Sequence, residues 1–311
     1  MKRTGRLAAL TNRGVALVLP VIFLLQGGWQ LAVFAAHPDW IGIDATIYYR
    51  GSAAWIAGAD PWSAGFATLH YVGTPATVLL LAPFTVLPER VFAFLAVGIS
   101  LAAAFYLLRR VRLPVWWIAF PPLGQGILNG NPVVVMMALL VAAHPIADAL
   151  AATLRLHALA PIGAEARWRG LLATAGLTAI SVVLVPGLWA SFLGSLPLIG
   201  SRYGAESGGG GMSAIGTPAL WIAAAVAIGV LVIIDRRAAG WLVIPALFPA
   251  TGYYTAIMAL PLIRPWMALL LLPFSPGWPA LAVIVYAIVR AAERLYDRSP
   301  APLAPPIPRL V

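Results

Sequence analysis

The sequence predicts an all-α membrane protein that crosses the bilayer several times. Of its 311 residues, 61% are hydrophobic and only 10% are charged, and the mean hydropathy is +0.91. A water-soluble domain does not need so much apolar surface. Uncharged runs of about 18 or more residues are typical of membrane-spanning helices, and such runs occupy 14–36, 91–108, 217–234 and 266–289.

Shorter apolar runs, several of them broken by proline, alternate with these long ones and lie at 74–88, 113–128, 132–147, 170–186, 187–200 and 240–259. Together the runs predict about eight to ten membrane segments. Because the chain contains 27 Pro and 29 Gly, we expect many helices to be kinked or half-length. Irregular backbone at membrane depth is tolerated only where protein covers it or where it lines a wet cavity.

The net charge of +10 does not indicate nucleic-acid binding, since the basic residues are spread along the connections without an aromatic-basic stripe. They are typical of orientation signals and lipid-headgroup contacts. Four basic residues precede the first apolar run, which is too long for a cleaved signal peptide. We therefore expect an uncleaved signal anchor in the plasma (inner) membrane, with both termini cytoplasmic. The absence of cysteine excludes disulfides, thiol catalysis and thiolate metal sites.

The chain is interpreted as one membrane domain over 1–298 and a Pro-rich tail over 299–311. Residues 37–73 form the first extracytoplasmic loop, and 201–216, with glycine at each of 208–211, is expected to be a flexible loop.

The middle topology has two solutions. If 74–88 and 91–108 form a hairpin, the three arginines at 109, 110 and 112 fall outside, which the positive-inside rule disfavours. Either one segment is re-entrant, or these arginines serve a function.

The first loop gathers three of the ten acidic residues of the chain. Residues 45–58 are predicted to form a short helix, with Asp44 as its N-cap and Gly58 as its C-terminal stop. Tyr48, Ser52 and Trp55 share one face, so the sequence predicts an amphipathic helix on the outer membrane surface. On this interpretation alone, Asp44 needs no chemical role.

The order of several motifs resembles a known enzyme family. Asp44, Tyr48-Tyr49 and Gly58 are followed by ADPW at 59–62, LHYVGTPATVLLLAPFTVLP at 69–88 and GQGILNGNPVVVMMALL at 124–140. PGLWASFLGSLP at 186–197 and FPATGYYTAIMALPLI at 248–263 come later. Most of the chain thus resembles the polyprenol-phosphate-sugar-dependent glycosyltransferases of the GT-C superfamily, in particular their α-mannosyltransferase-like family. The resemblance implies a GT-C-like helix bundle.

The chain departs from the family pattern at three places. The family's Tyr-x-Pro-Pro step reads Tyr71-Val72-Gly73-Thr74-Pro75. The family's lysine after the mid-chain helix has no counterpart, and Arg155 and His157 are the nearest basic groups. A histidine near the late landmark is replaced by Tyr253 and Tyr254.

The resemblance implies an inverting transfer of a sugar from a polyprenyl-phosphate donor to a lipid or glycan acceptor at the outer membrane face. The attacking hydroxyl needs a base, and a carboxylate at that face is suitable. Resemblance and elimination together select Asp44, because the other acidic residues lie in basic connections or in the glycine-rich loop. The leaving phosphate needs Arg or backbone N–H partners. No metal or cofactor is expected, since the donor carries a single phosphate.

The remaining candidates are proposed to bind substrate, and each has a simpler structural interpretation. His70 and Tyr71 can be interface anchors, Gln125 and Asn129 can hydrogen-bond between helices, and Arg264 can contact headgroups. For the phosphate we favour Arg202 and then Arg264. The full set is Tyr48, Arg50, His70, Tyr71, Gln125, Asn129, Arg202, Tyr203, Tyr254 and Arg264.

Two other functions remain open. A lipid or small-solute transporter or flippase would also use broken helices and polar groups at membrane depth. A catalytically silent scaffold would need none of the proposed site residues. Mannose as the transferred sugar rests on the resemblance only.

Overall fold

A computed structural model describes residues 2–66, 69–208, 212–249, 252–272 and 276–297, with the side chains of these ranges except 2–13, 16, 66, 202–208 and 297. The described chain is helical apart from one short antiparallel pair, in which β1 (Gly65–Phe66) lies beside β2 (Leu69–His70). The all-α class predicted from the sequence is therefore confirmed.

The helices are short for a chain of this hydropathy. In chain order the α-helices are α1 (Lys2–Ala36), α2 (Ile43–Ile56), α3 (Pro75–Leu81), α4 (Glu89–Arg110), α5 (Pro121–Leu128), α6 (Pro132–Ala142), α7 (Pro145–Leu154), α8 (Leu159–Ala164), α9 (Trp168–Leu184), α10 (Pro186–Gly208), α11 (Pro218–Ile234), α12 (Arg236–Leu247), α13 (Pro265–Leu270) and α14 (Trp278–Asp297). Short 3₁₀ helices lie at Pro38–Trp40, Pro61–Ser63, Ala82–Val86, Val115–Ala119, Leu156–Ala158 and Tyr253–Leu262.

Within the described part of the chain, two helices are long and apolar enough to cross a membrane: Leu17–Ala36 of α1, and α4. Two further spans are possible if bent pairs count, α5 with α6 at 114° and α9 with α10 at 105°. The lipid-facing character of α1 is plain, since Leu17, Leu25 and Trp29 are 78%, 70% and 72% exposed. These helices identify a membrane protein.

Proline sets the helix lengths. Each of α3, α5, α6, α7, α10, α11 and α13 begins at a proline, which lacks an N–H and clashes with the preceding turn. The apolar runs are therefore divided into pieces shorter than the bilayer is thick, as the proline content predicted. Residues 266–289, expected to be one span, belong to α13 and α14 instead.

The start of α4 lies beside the first connection. Arg90 forms an ion pair with Asp39, just after α1, and Glu89 pairs with Arg50 of α2. The segment between, Pro75–Val86, has helical pieces too short to span a bilayer. The start of α4 therefore lies beside α2 and the end of α1, and Arg109 lies at the other end of α4.

Helix α2 differs from its prediction in position and environment. It covers Ile43–Ile56, its N-cap is Gly42 rather than Asp44, and Gly58 follows its end with φ +78°, as predicted. Tyr48 is 4% exposed and Ser52 is fully buried. The prediction of a surface-lying amphipathic helix is wrong, because α3, α4 and the strand pair cover the face that was expected to meet the membrane surface.

Helix α10 continues further than expected. It runs to Gly208, so the prediction of a flexible loop at 201–216 is wrong for its first half, where Arg202 and Tyr203 lie on helical backbone. Residues 209–211, the rest of the glycine run, and the tail at 299–311 lie outside the described residues.

A close approach between Gly51 and Tyr71 holds α2 in place. The Tyr71 side chain is fully buried, and a Cβ at position 51 would lie 2.6 Å from its ring. Trp62 packs beside Tyr71 and donates to the carbonyl of Gly73 at 3.0 Å. Glycine at 51 is therefore a packing requirement, because no side chain fits between the ring and the helix.

We expect Gly51→Ala to destabilise the protein by about 1–3 kcal/mol, because the Tyr71 ring must move out of its site. Gly229→Ala is the matched control, since Gly229 lies in α11 with nothing within 4 Å of the added Cβ. Denaturant unfolding in detergent measures both. Equal stability of the two variants would contradict the close packing of α2 on Tyr71.

Candidate functional site

The start of α2 is held against the end of α5. Gly42 N–H donates to the carbonyl of Leu128 at 2.8 Å, and Asp44 N–H donates to that of Asn129 at 3.0 Å. The free N–H groups of one helix thus satisfy the free carbonyls of another. Gly42 has φ +74° and Gly130 has φ +62°, backbone that glycine adopts without strain. This junction directs the Asp44 side chain into the protein instead of over its own helix end.

Asn131 holds the Asp44 carboxylate. Its Nδ2 donates to Asp44 Oδ2 at 2.7 Å, while its Oδ1 caps α6 by accepting from Val133 N–H at 2.9 Å. Asn131 itself is fully buried, so one asparagine fixes both a helix start and the carboxylate. Asn129 was the asparagine predicted from this motif, and Asn131 was not among the predicted site residues. Its position before Pro132, typical of a helix cap, was the available signal.

The environment of Asp44 favours its protonated form. Burial raises the pKa of Asp44 above its ordinary value, while hydrogen bonds from Asn131 and Asn129 and the charge of Arg155 act in the opposite direction. The residue as a whole keeps part of its surface accessible. A raised pKa on a buried carboxylate with a specific charged neighbour is typical of functional sites.

Arg155 brings a positive charge to the same region. It follows α7 directly, and its guanidinium lies over the ring of Tyr48, 5.5 Å from the centroid. Its charge reaches Asp44 and also the hydroxyl of Tyr71. Cation–π contact with Tyr48 orients the guanidinium at low cost in side-chain entropy. From the sequence, Arg155 was the basic group nearest to the missing family lysine and a later alternative for the phosphate, after Arg202 and Arg264.

Aromatic side chains enclose this pair. Tyr48 and Tyr71 meet edge to face, with ring centroids 5.3 Å apart. Tyr254 lies close enough for the charges of Asp44 and Arg155 to act on its hydroxyl. Burial raises the pKa of Tyr71 well above its ordinary value, so its hydroxyl stays protonated. The enclosure supplies hydroxyl groups that donate or accept without adding charge.

His157 is a second basic side chain at this end of α7. Burial lowers its pKa to about 3, and the neighbouring charge of Arg155 adds to this effect. Its ring meets Phe248 edge to face at 4.4 Å, and its buried Nδ1 has no hydrogen-bond partner among the described residues. His157 is therefore neutral at physiological pH and keeps a free hydrogen-bonding position.

An apolar cavity of about 140 Å³ lies beside the first half of α2. Ala45 and Tyr48 of α2 line one wall, next to Asp44 in the chain, and α4 lines the other. The membrane-length helix α4 contributes Phe92, Leu95 and Ile99 to this cavity. Leu95 and Ile99 are also 43% and 47% exposed, so the cavity reaches the lipid-facing side of α4.

The depth of the site follows from its contacts with α4. A Cβ at Gly42 would meet Ala93, and one at Gly130 would lie 3.5 Å from Ala96. These alanines are four and seven residues after Glu89, which corresponds to about 6–10 Å along the helix. Asp44 therefore lies below the end of α4, within the length of the span.

The structure brings five of the predicted site residues near one another, namely Asp44, Tyr48, Tyr71, Asn129 and Tyr254. Gln125 lies one turn before Asn129, and its Oε1 is buried without a partner among the described residues. The side chains of Arg202 and Tyr203 lie outside the described residues.

Three predicted residues are engaged elsewhere. Arg50 forms a two-bond pair with Glu89, both bonds 2.9 Å, and Arg264 pairs with Glu293 at 2.7 Å. His70 lies in β2, opposite Gly65. The two arginines were expected to hold an anion, but carboxylates distant in sequence occupy them.

Comparison of the chain with family models, curated sequences and solved structures finds no match. Within the described residues, no group of three or more His, Asp or Glu side chains could hold a metal ion. The site is therefore interpreted from its own chemistry.

The buried His157 predicts a loss of stability in acid. An unfolded histidine takes up a proton near pH 6.5, whereas the folded one does so only near its pKa of about 3. The stability present above pH 6.5 should therefore fall as the pH drops, at up to about 1.4 kcal/mol per pH unit. His157→Gln should show a smaller loss between pH 7 and pH 5 in denaturant unfolding.

The control for this measurement is His37→Gln, which replaces an exposed ring stacked on Trp40. A loss in acid that is the same in His157→Gln and the wild type would show that His157 does not stay neutral in the fold.

Proposed function

We propose that the chain is a membrane glycosyltransferase, which moves a sugar from a polyprenyl-phosphate donor to a lipid or glycan acceptor with Asp44 as general base. One observation carries the proposal. A carboxylate with a raised pKa lies near the guanidinium of Arg155, and an apolar cavity lined by the helix that carries the carboxylate reaches the exposed side of α4. A polyprenyl-phosphate sugar carries a group for each of these features: a sugar, an anion and an apolar chain.

The reaction needs one proton acceptor. The acceptor hydroxyl attacks the anomeric carbon, the bond from that carbon to the phosphate oxygen breaks, and the hydroxyl proton passes to Asp44. The lipid phosphate leaves with the bonding electrons, and the anomeric configuration inverts. The raised pKa of Asp44 suits a base, because proton affinity increases with pKa.

Arg155 is the best candidate to hold the departing phosphate. It is close to Asp44, and its charge persists at every working pH. It takes the place that the sequence assigned to Arg202 and Arg264. Arg264 is paired with Glu293, and a paired guanidinium has fewer N–H donors available for a new anion.

The cavity beside α4 suits the start of a polyprenyl chain. Its lining is almost wholly apolar, and Leu81, Val135 and Leu154 complete it. Because the polyprenyl chain enters from the bilayer rather than from water, van der Waals packing, not hydrophobic transfer, would hold it there. We also propose that the chain forms a GT-C-like polytopic bundle in the plasma membrane. The site would lie towards the outer face, with half-length helices around it.

The resemblance noted in the sequence makes a polyprenyl-phosphate mannose the first donor to test. Transport remains the main competing function. A carrier would move the lipid across a vesicle membrane without forming a glycosidic bond, and a scaffold would do neither.

We expect Asp44→Asn to lower sugar transfer from polyprenyl-phosphate mannose by about 10²-fold or more, because the amide cannot accept the proton. Since burial raises the pKa of Asp44, the wild-type rate should fall as acid protonates this group. The folded pKa is raised, so protonation stabilises the fold and the ionised form costs stability at neutral pH. Asp44→Asn should then unfold at the wild-type temperature or above.

The matched control is Asp60→Asn, which changes an exposed carboxylate of the same connection. It should keep wild-type transfer. Near-normal turnover by Asp44→Asn would reject Asp44 as the base. Lipid movement without glycoside formation by the wild type would support a carrier instead.

A second test removes the proposed phosphate partner. Arg155→Ala should cost about 2–4 kcal/mol of transition-state stabilisation, roughly 30-fold to 10³-fold in kcat/KM. Because the Arg155 charge lowers the pKa of Asp44, the acid side of the pH–rate profile should also move to higher pH. Arg155→Lys should recover part of the rate.

Arg90→Ala is the control for this test, since Arg90 is a surface arginine, 58% exposed, at the start of α4. If the kcat/KM of Arg155→Ala stays within about threefold of the wild-type value, Arg155 contributes less than about 1 kcal/mol to transition-state stabilisation. The phosphate is then held elsewhere.

A further inference from the structure

A second charged region lies at the far end of α4 from the Asp44 site. Arg109 and Arg110 end this helix, and Arg112 follows in the turn with φ +58°. All three residues are exposed. The sequence singled them out as unexplained, and the proposed transfer reaction does not use them.

The arginines share a recess with two aromatic residues. Phe105 and Tyr106 lie four residues before Arg109 and Arg110, so each ring stands one turn above a guanidinium on the same face. These four residues line one surface recess, which we call the α4-end recess. Phe105 and Tyr106 are 40% and 42% exposed, so the rings form an accessible wall.

No ion pair among the described residues neutralises the charge of this recess. Among the described residues, the ion pairs connect Asp39, Glu89, Asp148, Glu165, Asp235 and Glu293 to other arginines. None of these pairs uses the three arginines at 109, 110 and 112. Arg110 has one contact, a 3.4 Å bond to the carbonyl of Val141. The remaining donors of three guanidiniums are left for an external anion.

The position of the recess indicates where that anion comes from. Helix α4 is long enough to cross the membrane, and its other end is tied to the end of α1 by Arg90 and Asp39. The recess therefore lies where the hydrocarbon-facing surface of α4 meets the headgroups. Exposed Leu101 and Phe105, each 40% exposed, continue from the recess along the helix, as acyl chains attached to a bound headgroup would require.

We propose that the α4-end recess binds the phosphate of an anionic phospholipid, with its acyl chains lying along α4. Arg109 and Arg110 contact the phosphate oxygens, since guanidinium groups match phosphate geometry. Arg112 adds charge from the turn, and the Tyr106 hydroxyl lies at headgroup level, where tyrosine is favoured. This site is independent of the transfer reaction proposed for Asp44.

The test counts the phosphatidylglycerol and phosphatidylcholine molecules that stay bound to the full chain. Native mass spectrometry measures them after the protein is released from detergent. We expect the wild type to retain at least about threefold more phosphatidylglycerol, because guanidinium–phosphate bonds strengthen when both partners leave water. The double variant Arg109→Gln, Arg110→Gln should retain the two lipids equally. Arg236→Gln, Arg294→Gln removes the same charge from two other exposed arginines and should keep the wild-type preference.

A second measurement needs no variant. Hydrogen exchange of the wild type in phosphatidylglycerol nanodiscs, compared with phosphatidylcholine nanodiscs, should be slower at 105–113. The proposal would be overturned by equal hydrogen exchange at 105–113 in the two kinds of nanodisc. It would also be overturned if the Arg109–Arg110 double variant kept the phosphatidylglycerol preference, or if the control double variant lost it equally. Protection at 105–113 by excess inorganic phosphate in detergent without added lipid would also overturn it, because a free anion would then be the ligand.

Discussion

The hydrogen bonds between the start of α2 and the end of α5 are the constraint on which the site depends. Gly42 and Asp44 donate their N–H groups to the last carbonyls of α5 at 2.8 and 3.0 Å. Buried helix ends are costly unless such partners satisfy them, so the two helices cannot separate without a large loss. The junction fixes the polypeptide on both sides of Asp44 and leaves its side chain one direction, towards Asn131.

The electrostatics around this junction follow from its burial. An ionised carboxylate under apolar helices is expensive, and the first turn of a helix, a hydrogen bond and a nearby cation reduce the cost. Asp44 has all three, from α2, Asn131 and Arg155. Its neighbour His157 avoids the cost by staying neutral. A region with one acid, one cation and several uncharged hydroxyl groups can bind a polar molecule with a single negative charge.

Helix α4 connects two environments of opposite character. Near its start, Ala93 and Ala96 let the α2–α5 junction approach closely, and larger residues such as Leu95 and Ile99 line the apolar cavity. At its end, arginines and aromatic rings form an open recess. At the start of α4, arginines are paired with carboxylates, and its end carries arginines that no ion pair among the described residues uses.

Composition and local pattern were enough to determine the class of the protein and its broken helices. A high apolar content predicts a membrane environment, and a proline marks the start of seven of the described α-helices, since both effects depend on only a few residues. Gly58 ends α2 as predicted, and Asp44 remains the central candidate of the site.

The tertiary structure decided which charges are available. Arg50 and Arg264 were candidates for an anion until Glu89 and Glu293, 39 and 29 residues away, were found to occupy them. Asn131 reaches Asp44 across 87 residues, and Arg155 approaches from a different helix. Such pairings depend on which helices pack together. A short stretch of sequence does not contain this information, because each of these side chains could also be satisfied in other surroundings. The same packing buried α2, whose pattern is equally compatible with the membrane surface.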